Sequence, residues 1–331
     1  MAFWPDGRLL VTEREGVLRV VGKNGRVSAP IEGVPEVRAE GQGGLMDVVL
    51  HPQYAQNGWI YLIFSDPLRG PIGGTLGYTA IARGKLRSKR LVSVEVIYRV
   101  PERFYSPHSH HYGARIAFDR QGYLYFAIGD RGQRTLAQHV ELPNGKVHRL
   151  HDDGRVPEDN PFVGQKDAVE SIWSYGHRNP QGLALHPGTG QLWAAEHGPK
   201  GGDELNHVRK GLNYGWPVIT YGINYDGSPI TDKTEAEGME QPQTYWLPSI
   251  AVCGIDFYTG EGFGKWQHDL LVTSLKFNRL HRVRMEGVEV VHEEIVYEGE
   301  SRVRDVQTGP DGAVYLAVEE PGRILRLVPE K

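Results

Sequence analysis

The chain has 331 residues, and its 37 Lys and Arg nearly balance its 41 Asp and Glu for a formal charge of −4, so it carries no single-sign field that would draw nucleic acid or a membrane surface. Its 42 Gly and 21 Pro are spread along the chain and 39% of residues are hydrophobic, ample for a core and too many for a disordered polymer. Cys253 is the single cysteine, which excludes an intrachain disulfide and a thiolate metal cluster, and no run of eighteen apolar residues is present to span a membrane as a helix.

The first element, residues 2–12 (AFWPDGRLLVT), sets a phrase that returns: a short alternating strand, a turn with Pro or Asp and Gly, and a second alternating strand. It recurs at residues 48–64 (VVLHPQYAQNGWIYLIF), 116–128 (IAFDRQGYLYFAI), 183–196 (LALHPGTGQLWAAE) and 306–318 (VQTGPDGAVYLAV), with a degenerate copy at residues 255–273. The turn residues Pro5, Pro52, Asp119, Pro187, Gly260 and Pro310 lie 47, 67, 68, 73 and 50 residues apart, the size of a four-stranded sheet with variable loops. Further strands follow several copies, at residues 17–20, 146–150, 279–283 and 323–327. No amphipathic helical stretch of twelve or more residues separates the strand pairs, which argues against α/β and TIM-barrel folds. The expected fold is therefore all-β: one domain over residues 1–331, a six-bladed β-propeller of four-stranded antiparallel blades. Residues 136–139 and 203–208 are expected as short helical turns, and residues 68–83 and 223–241 as long loops on the propeller faces.

The segments with chemical potential also run in order. The glycine run at residues 70–77 lacks the Lys-Ser/Thr ending of a phosphate loop and is set aside. His108, His110 and His111 fall in a loop at a spacing that matches no zinc pattern, leaving exposed loop histidines or a general base as the readings. A hairpin from Arg115 to Asp130 would return Asp130 to the rim that holds His111, where a carboxylate could orient an imidazole. Arg178, Asn179 and Gln181 form a run of hydrogen-bonding groups costly to bury unless an anion meets them. The segment from Glu196 to Glu204 offers carbonyl and carboxylate oxygens of the kind calcium takes, and it reads equally as a solvated acidic turn. Lys276, Arg302 and Arg304 place cations at strand ends, the last two alternating on one side of a strand.

Together these segments resemble the soluble aldose sugar dehydrogenases dependent on pyrroloquinoline quinone (PQQ), of the glucose/sorbosone dehydrogenase family. The resemblance covers nearly the whole chain, through GQGGLMD (41–47), HYGAR (111–115), IGDRG (128–132), GHRNPQGL (176–183), EHGP (196–199), DELN (203–206), GLNYGWP (211–217), SLK (274–276) and RVRD (302–305). It implies PQQ- and calcium-dependent oxidation of an aldose at the anomeric carbon to the lactone. His111 would be the general base and Asp130 its support, with hydride passing to a quinone carbonyl carbon. Gln42, Arg178, Asn179, Tyr225, Lys276, Arg302 and Arg304 would surround PQQ. The carbonyls of Gly198 and Pro199 would bind the calcium beside the quinone, and Glu204 with the Tyr214 carbonyl a second, structural calcium. Trp246 is the candidate for the sugar-facing wall. The implied partners are a small aldose and an unidentified electron acceptor, for a monomer or homodimer in the periplasm or outside the cell. Residues 1–7 lack the pattern of a signal peptide and begin inside the family's opening phrase, so a trimmed start and an incomplete first blade are expected. Two rivals share this architecture: a calcium-dependent propeller lactonase, and a propeller that serves only as a binding module.

Overall fold

In the computed structural model, which describes residues 1–71 and 73–330, each copy of the repeated phrase becomes the inner two strands of one blade. The turns explain why. Asp6 Oδ1 accepts the Arg8 amide at 3.0 Å and Gly7 takes φ 85°, while Asp119 Oδ1 accepts the amides of Gln121 and Tyr123, both at 2.9 Å, around Gly122 at φ 86°. The aspartate mimics a turn of backbone and the glycine supplies the left-handed residue, so each short strand must reverse where the sequence dictates.

The strands assemble into six antiparallel sheets. Blade 1 holds Ala2–Phe3, Leu9–Glu13 and Val17–Val21, with a short fourth edge where Val27 bridges Val21. Blade 2 holds Leu45–Leu50, Trp59–Arg69, Thr75–Arg87 and Arg90–Tyr98, and blade 3 holds Ile116–Phe118, Leu124–Ile128, Lys146–Leu150 and Ile172–Tyr175. Blade 4 comprises Pro180–Leu185, Leu192–Glu196, Asp203–Val208 and Thr244–Trp246, and blade 5 comprises Val252–Phe257, Leu270–Ser274, Arg279–Glu286 and Glu289–Glu298. Blade 6 has three strands, Val303–Thr308, Val314–Val318 and Arg323–Leu327. The ring closes where Phe3 of blade 1 meets Tyr315 of blade 6 edge-on, 4.7 Å between centroids.

Period-2 alternation is what makes this a ring. Along Trp59–Arg69, Ile60, Leu62 and Phe64 pack toward blade 1, whereas Tyr61 and Ile63 pack toward Ile116, Leu124 and Phe126 of blade 3. Along Leu270–Ser274, Leu270 and Val272 pack with Trp193 and Leu205 of blade 4, and Leu271 with Val306 and Leu316 of blade 6. Alternate residues thus face opposite neighbours, and the apolar burial, worth about 1.5–3 kcal/mol per large side chain, forms a cluster in each of the five interfaces from blade 1 round to blade 6.

Two local expectations change, and a third holds nearly in place. Asp203–Val208 is a strand, held by ladders to Leu192–Glu196 and Thr244–Trp246. Residues 68–83 belong mainly to a long hairpin, in which Arg69 pairs with Thr75 and Arg83 with Tyr61, so the expected loop is confined to the short connection between Arg69 and Thr75. Between residues 134 and 138 a single 3-10 turn forms, close to the helical turn expected there. No helix among the described residues is long and apolar enough to cross a membrane.

Candidate active site

The hairpin of Ile116–Phe118 and Leu124–Ile128 brings two ends of blade 3 to one rim. Just before it, Gly113 at φ 71° lets the chain lie against the strand, where a β-carbon would meet the Ala127 carbonyl oxygen at 2.5 Å. The loop therefore presents His111 to Asp130, and Nδ1 of His111 lies 2.6 Å from Oδ1 of Asp130. Asp130 is 1% exposed and also accepts hydrogen bonds from the Gly132 amide at 2.7 Å and from Nε1 of Trp216 at 2.8 Å. Burial raises its carboxyl, but these bonds, first among them that to His111, more than offset it and hold Asp130 below its usual value. Burial lowers the proton affinity of His111, the bond to Asp130 opposes it, and the Arg178 charge lowers it further, so the net direction is down. An ionised carboxylate only accepts, so Nδ1 carries the proton and Nε2 is left with its lone pair free.

His111 is tied to a cavity of about 1580 Å³ that runs from the ring's axis into the space between blades 1 and 6. Its amide donates to Oε1 of Gln42 at 2.7 Å, and the Gln42 amide donates to the Ser109 carbonyl at 2.7 Å. Oδ1 of Asn179 accepts the Gly113 amide at 3.1 Å. Gln42 and Asn179 both line the cavity, with Lys276, Arg302, Arg304 and Arg115. Lys276 and Arg302 are exposed and make no side-chain hydrogen bond or ion pair among the described residues. Arg304 pairs with Glu319 and lies 3.6 Å from Sγ of Cys253. Arg115 closes the floor, 3.5 Å from Asp47 and 3.4 Å from Asp305. Arg178 sits beside the Trp216 ring at 5.5 Å and donates to the His197 carbonyl at 3.0 Å. Such a set of cations and amides can hold a polyanion next to an imidazole able to accept a proton.

With this geometry in view, the comparisons with known proteins are decisive. A family model described as Glucose / Sorbosone dehydrogenase matches residues 1–326. The chain belongs to that family. Aldose sugar dehydrogenase YliI of Escherichia coli (strain K12) is 42% identical over 338 residues, covering 99% of this chain and 89% of that protein. A crystal structure titled glucose dehydrogenase superposes with TM-score 0.94 at 44% identity, covering 99% of this chain and 95% of the other. The PQQ-bound form of aldose sugar dehydrogenase from Streptomyces coelicolor matches with TM-score 0.79 at 29% identity, covering 99% and 92%. As a member of the glucose/sorbosone dehydrogenase family the chain is a sugar oxidoreductase.

The remaining residues singled out by the family resemblance divide by position. Gly198 is packed so tightly that a β-carbon would meet the Gly202 carbonyl oxygen at 2.1 Å, and its amide donates to Oδ1 of Asp203 at 2.9 Å. The Pro199 carbonyl accepts only a long bond, 3.4 Å, from Oγ of Ser249. Glu204 faces Glu196 directly across the ladder, and burial together with the Glu196 charge pushes its carboxyl up to about 8. Beside it Asn206 is 1% exposed, and its Oδ1 has no hydrogen-bond partner among the described residues. Tyr214 is buried and stacks on His177, 4.6 Å between centroids. Among the described residues no group of three or more His, Cys, Asp and Glu has the arrangement of a metal site.

Two expected residues are not brought in. Trp246, expected on a sugar-facing wall, is 7% exposed in the interface of blades 4 and 5, where Nε1 donates to Glu293 at 2.9 Å. Its large apolar face is drawn into the inter-blade core, so it is not available to line the cavity. Tyr225 is 74% exposed on the loop after Ile223, which reaches blade 3 through Asn224 and Arg134, 3.2 Å apart. Sequence reasoning missed Trp216, the clamp on Asp130, and Glu196, which accepts from Nδ1 of His177 at 2.8 Å and from the Arg178 amide. Both stand inside segments that were read, GLNYGWP and EHGP, but their partners lie 86 and 18–19 residues away.

Proposed function

We propose that this protein oxidises an aldose at the anomeric carbon to the lactone, dependent on PQQ and calcium, with His111 as general base. The observation that carries the reading is the free Nε2 of a neutral imidazole beside a cavity whose exposed cations, Lys276 and Arg302, make no side-chain hydrogen bond or ion pair among the described residues. PQQ bears three carboxylates, and Gln42, Arg178, Asn179, Lys276, Arg302 and Arg304 would hold them by charge-assisted bonds. When bound, PQQ would supply the electron-pair acceptor and calcium the polarisation of its reactive carbonyl. His111 takes the proton of the anomeric hydroxyl at Nε2 so that the adjacent C–H bond can break. Asp130 holds the ring in that tautomer and stabilises the imidazolium, and Trp216 and Gly132 keep the carboxylate fixed while it does so. The carbonyls of Gly198 and Pro199 would face the calcium. The reading includes a periplasmic or secreted location, on the family resemblance.

Reconstitution tests this. Adding PQQ and calcium together to the purified apoprotein is expected to create dye-linked oxidation of aldoses that neither alone supports. No dye reduction across a panel of aldoses, with an unchanged absorbance spectrum, would rule the reading out.

Glu204, paired against Glu196 and next to the partnerless Oδ1 of Asn206, suits a hard cation with oxygen ligands, completed by the Tyr214 carbonyl. Calcium at 100 times its Kd is expected to stabilise the protein by about 2.7 kcal/mol, on the order of 5 °C in Tm. Glu204→Gln should lose at least half of that shift in a melting experiment while its calcium-free Tm does not fall. An undiminished calcium shift in Glu204→Gln would remove this residue from the site.

A further inference from the structure

We propose that Arg131 is a positioning residue for His111, gripping the loop on both sides of the imidazole. The proposal rests on the reading of His111 as the general base. Arg131 follows Asp130 and its side chain is 0% exposed. Its guanidinium donates to the main-chain carbonyls of His108 and His110 and lies over the Tyr112 ring at 3.4 Å, with the Tyr78 ring at 5.7 Å. Two of the residues it touches, 110 and 112, are the chain neighbours of His111.

That grip has something to hold. His111 adopts φ 54°, in the left-handed region that costs a residue with a β-carbon roughly 1–3 kcal/mol and persists only where the surroundings enforce it. Arg131 makes no ion pair among the described residues, so this buried cation meets only carbonyls and aromatic faces, and its Nε has no hydrogen-bond partner among them. Burying such a group costs stability, and burial lowers its own proton affinity. The planar fork of an arginine holds its donors in fixed directions, whereas an ammonium is a rotatable point charge.

The same charge acts on the ring. Asp130, Arg178, His110 and His197 are the other ionisable groups that face His111, and of these only Asp130 favours the imidazolium. Arg131 adds to the side that keeps the ring neutral and able to accept a proton. Asp130 and Arg131, adjacent in the chain, thus divide the work: one orients Nδ1, the other fixes the loop and disfavours the protonated ring.

Arg131→Met and Arg131→Lys test the proposal. In Arg131→Met, kcat is expected to fall roughly 10- to 100-fold, the usual cost of a misplacement near 1 Å, with the Kd for PQQ within about threefold of wild type. The acid limb of kcat/KM should move to higher pH, because the charge that opposed protonation is gone. Arg131→Lys keeps the charge, so its limb should coincide with wild type while kcat recovers only in part. A histidine NMR titration of the apoproteins, with the His111 signal assigned by its loss in His111→Gln, should show the ring's proton affinity raised in Arg131→Met and unchanged in Arg131→Lys. Wild-type kcat and an unmoved His111 titration in Arg131→Met, with only a lowered Tm, overturn the proposal. If Arg131→Met does not fold, wild-type kcat in Arg131→Lys overturns it. Wild-type turnover in His111→Ala would sink the general-base reading instead, and the NMR titration still decides whether Arg131 governs this ring.

Discussion

Replacing His111 with alanine is expected to lower kcat by about 10²- to 10⁴-fold, the span attributed to a positioned general base, which is roughly 2.7–5.5 kcal/mol on the barrier. The Kd for PQQ should stay within about threefold, because the bond of His111 to Gln42 is made by the backbone amide, which alanine keeps. Folding should survive too, since Asp130 retains the Gly132 amide and Nε1 of Trp216. The pH profile sharpens the test. Burial, then Arg178 against the pull of Asp130, sets the proton affinity of His111 below that of an ordinary histidine. The base is therefore competent at neutral pH, and kcat/KM is lost as pH falls through a limb below about 6.5. The alanine variant should lack that limb. Stopped-flow dye reduction across pH measures both effects, and full activity in His111→Ala would contradict the assignment.

Removing the two exposed cations of the cavity should weaken the proposed PQQ binding and change little else. Lys276→Met and Arg302→Met are each expected to weaken PQQ binding by roughly 10- to 100-fold, equal to about 1.4–2.8 kcal/mol for a lost charge-assisted contact. The double variant should bind more weakly than either single variant, and by less or more than their product, because both charges would meet the same anion from different blades and so couple through it. Stability should move by less than about 0.5 kcal/mol, since both side chains are exposed and bond nothing else among the described residues. Binding by wild type should also weaken with salt, and less steeply in the double variant. Titration of the apoprotein with PQQ, followed by fluorescence, reads the Kd. Unchanged affinity in the double variant would mean that the cavity does not hold the anion by these groups.

The fold was legible because its signal is local and repeated. The turn at Pro5-Asp6-Gly7 and its counterparts fix strand reversals through bonds two residues apart, such as Asp6 to the Arg8 amide, and the alternation around them tells each strand that two faces are buried. Where the signal came from neighbours in space, the reading failed. Asp203–Val208 looked like a helical turn until ladders on both sides made it a strand, and residues 68–83, expected as a loop, are mostly paired across a hairpin up to Arg69 and Thr75. Among site residues, motif order pointed to His111, Asp130, Gln42, Arg178 and Asn179, which the fold brings together. Trp246 and Tyr225 went elsewhere, one into the inter-blade core and one into solvent, because an aromatic side chain is equally suited to a core, a surface or a ligand wall.

By itself, then, the sequence determined the blade count, the places where strands turn and the family's ordered motifs, all of which are written in residues close along the chain. Only the tertiary structure decided that Trp216 clamps Asp130 from 86 residues away, that Glu204 faces Glu196, and that Arg131 points inward to hold the loop around His111. Those relations depend on where blades meet around an axis and on which carbonyls a buried side chain finds there. Distance and burial arise only when the ring closes, and no local pattern encodes them.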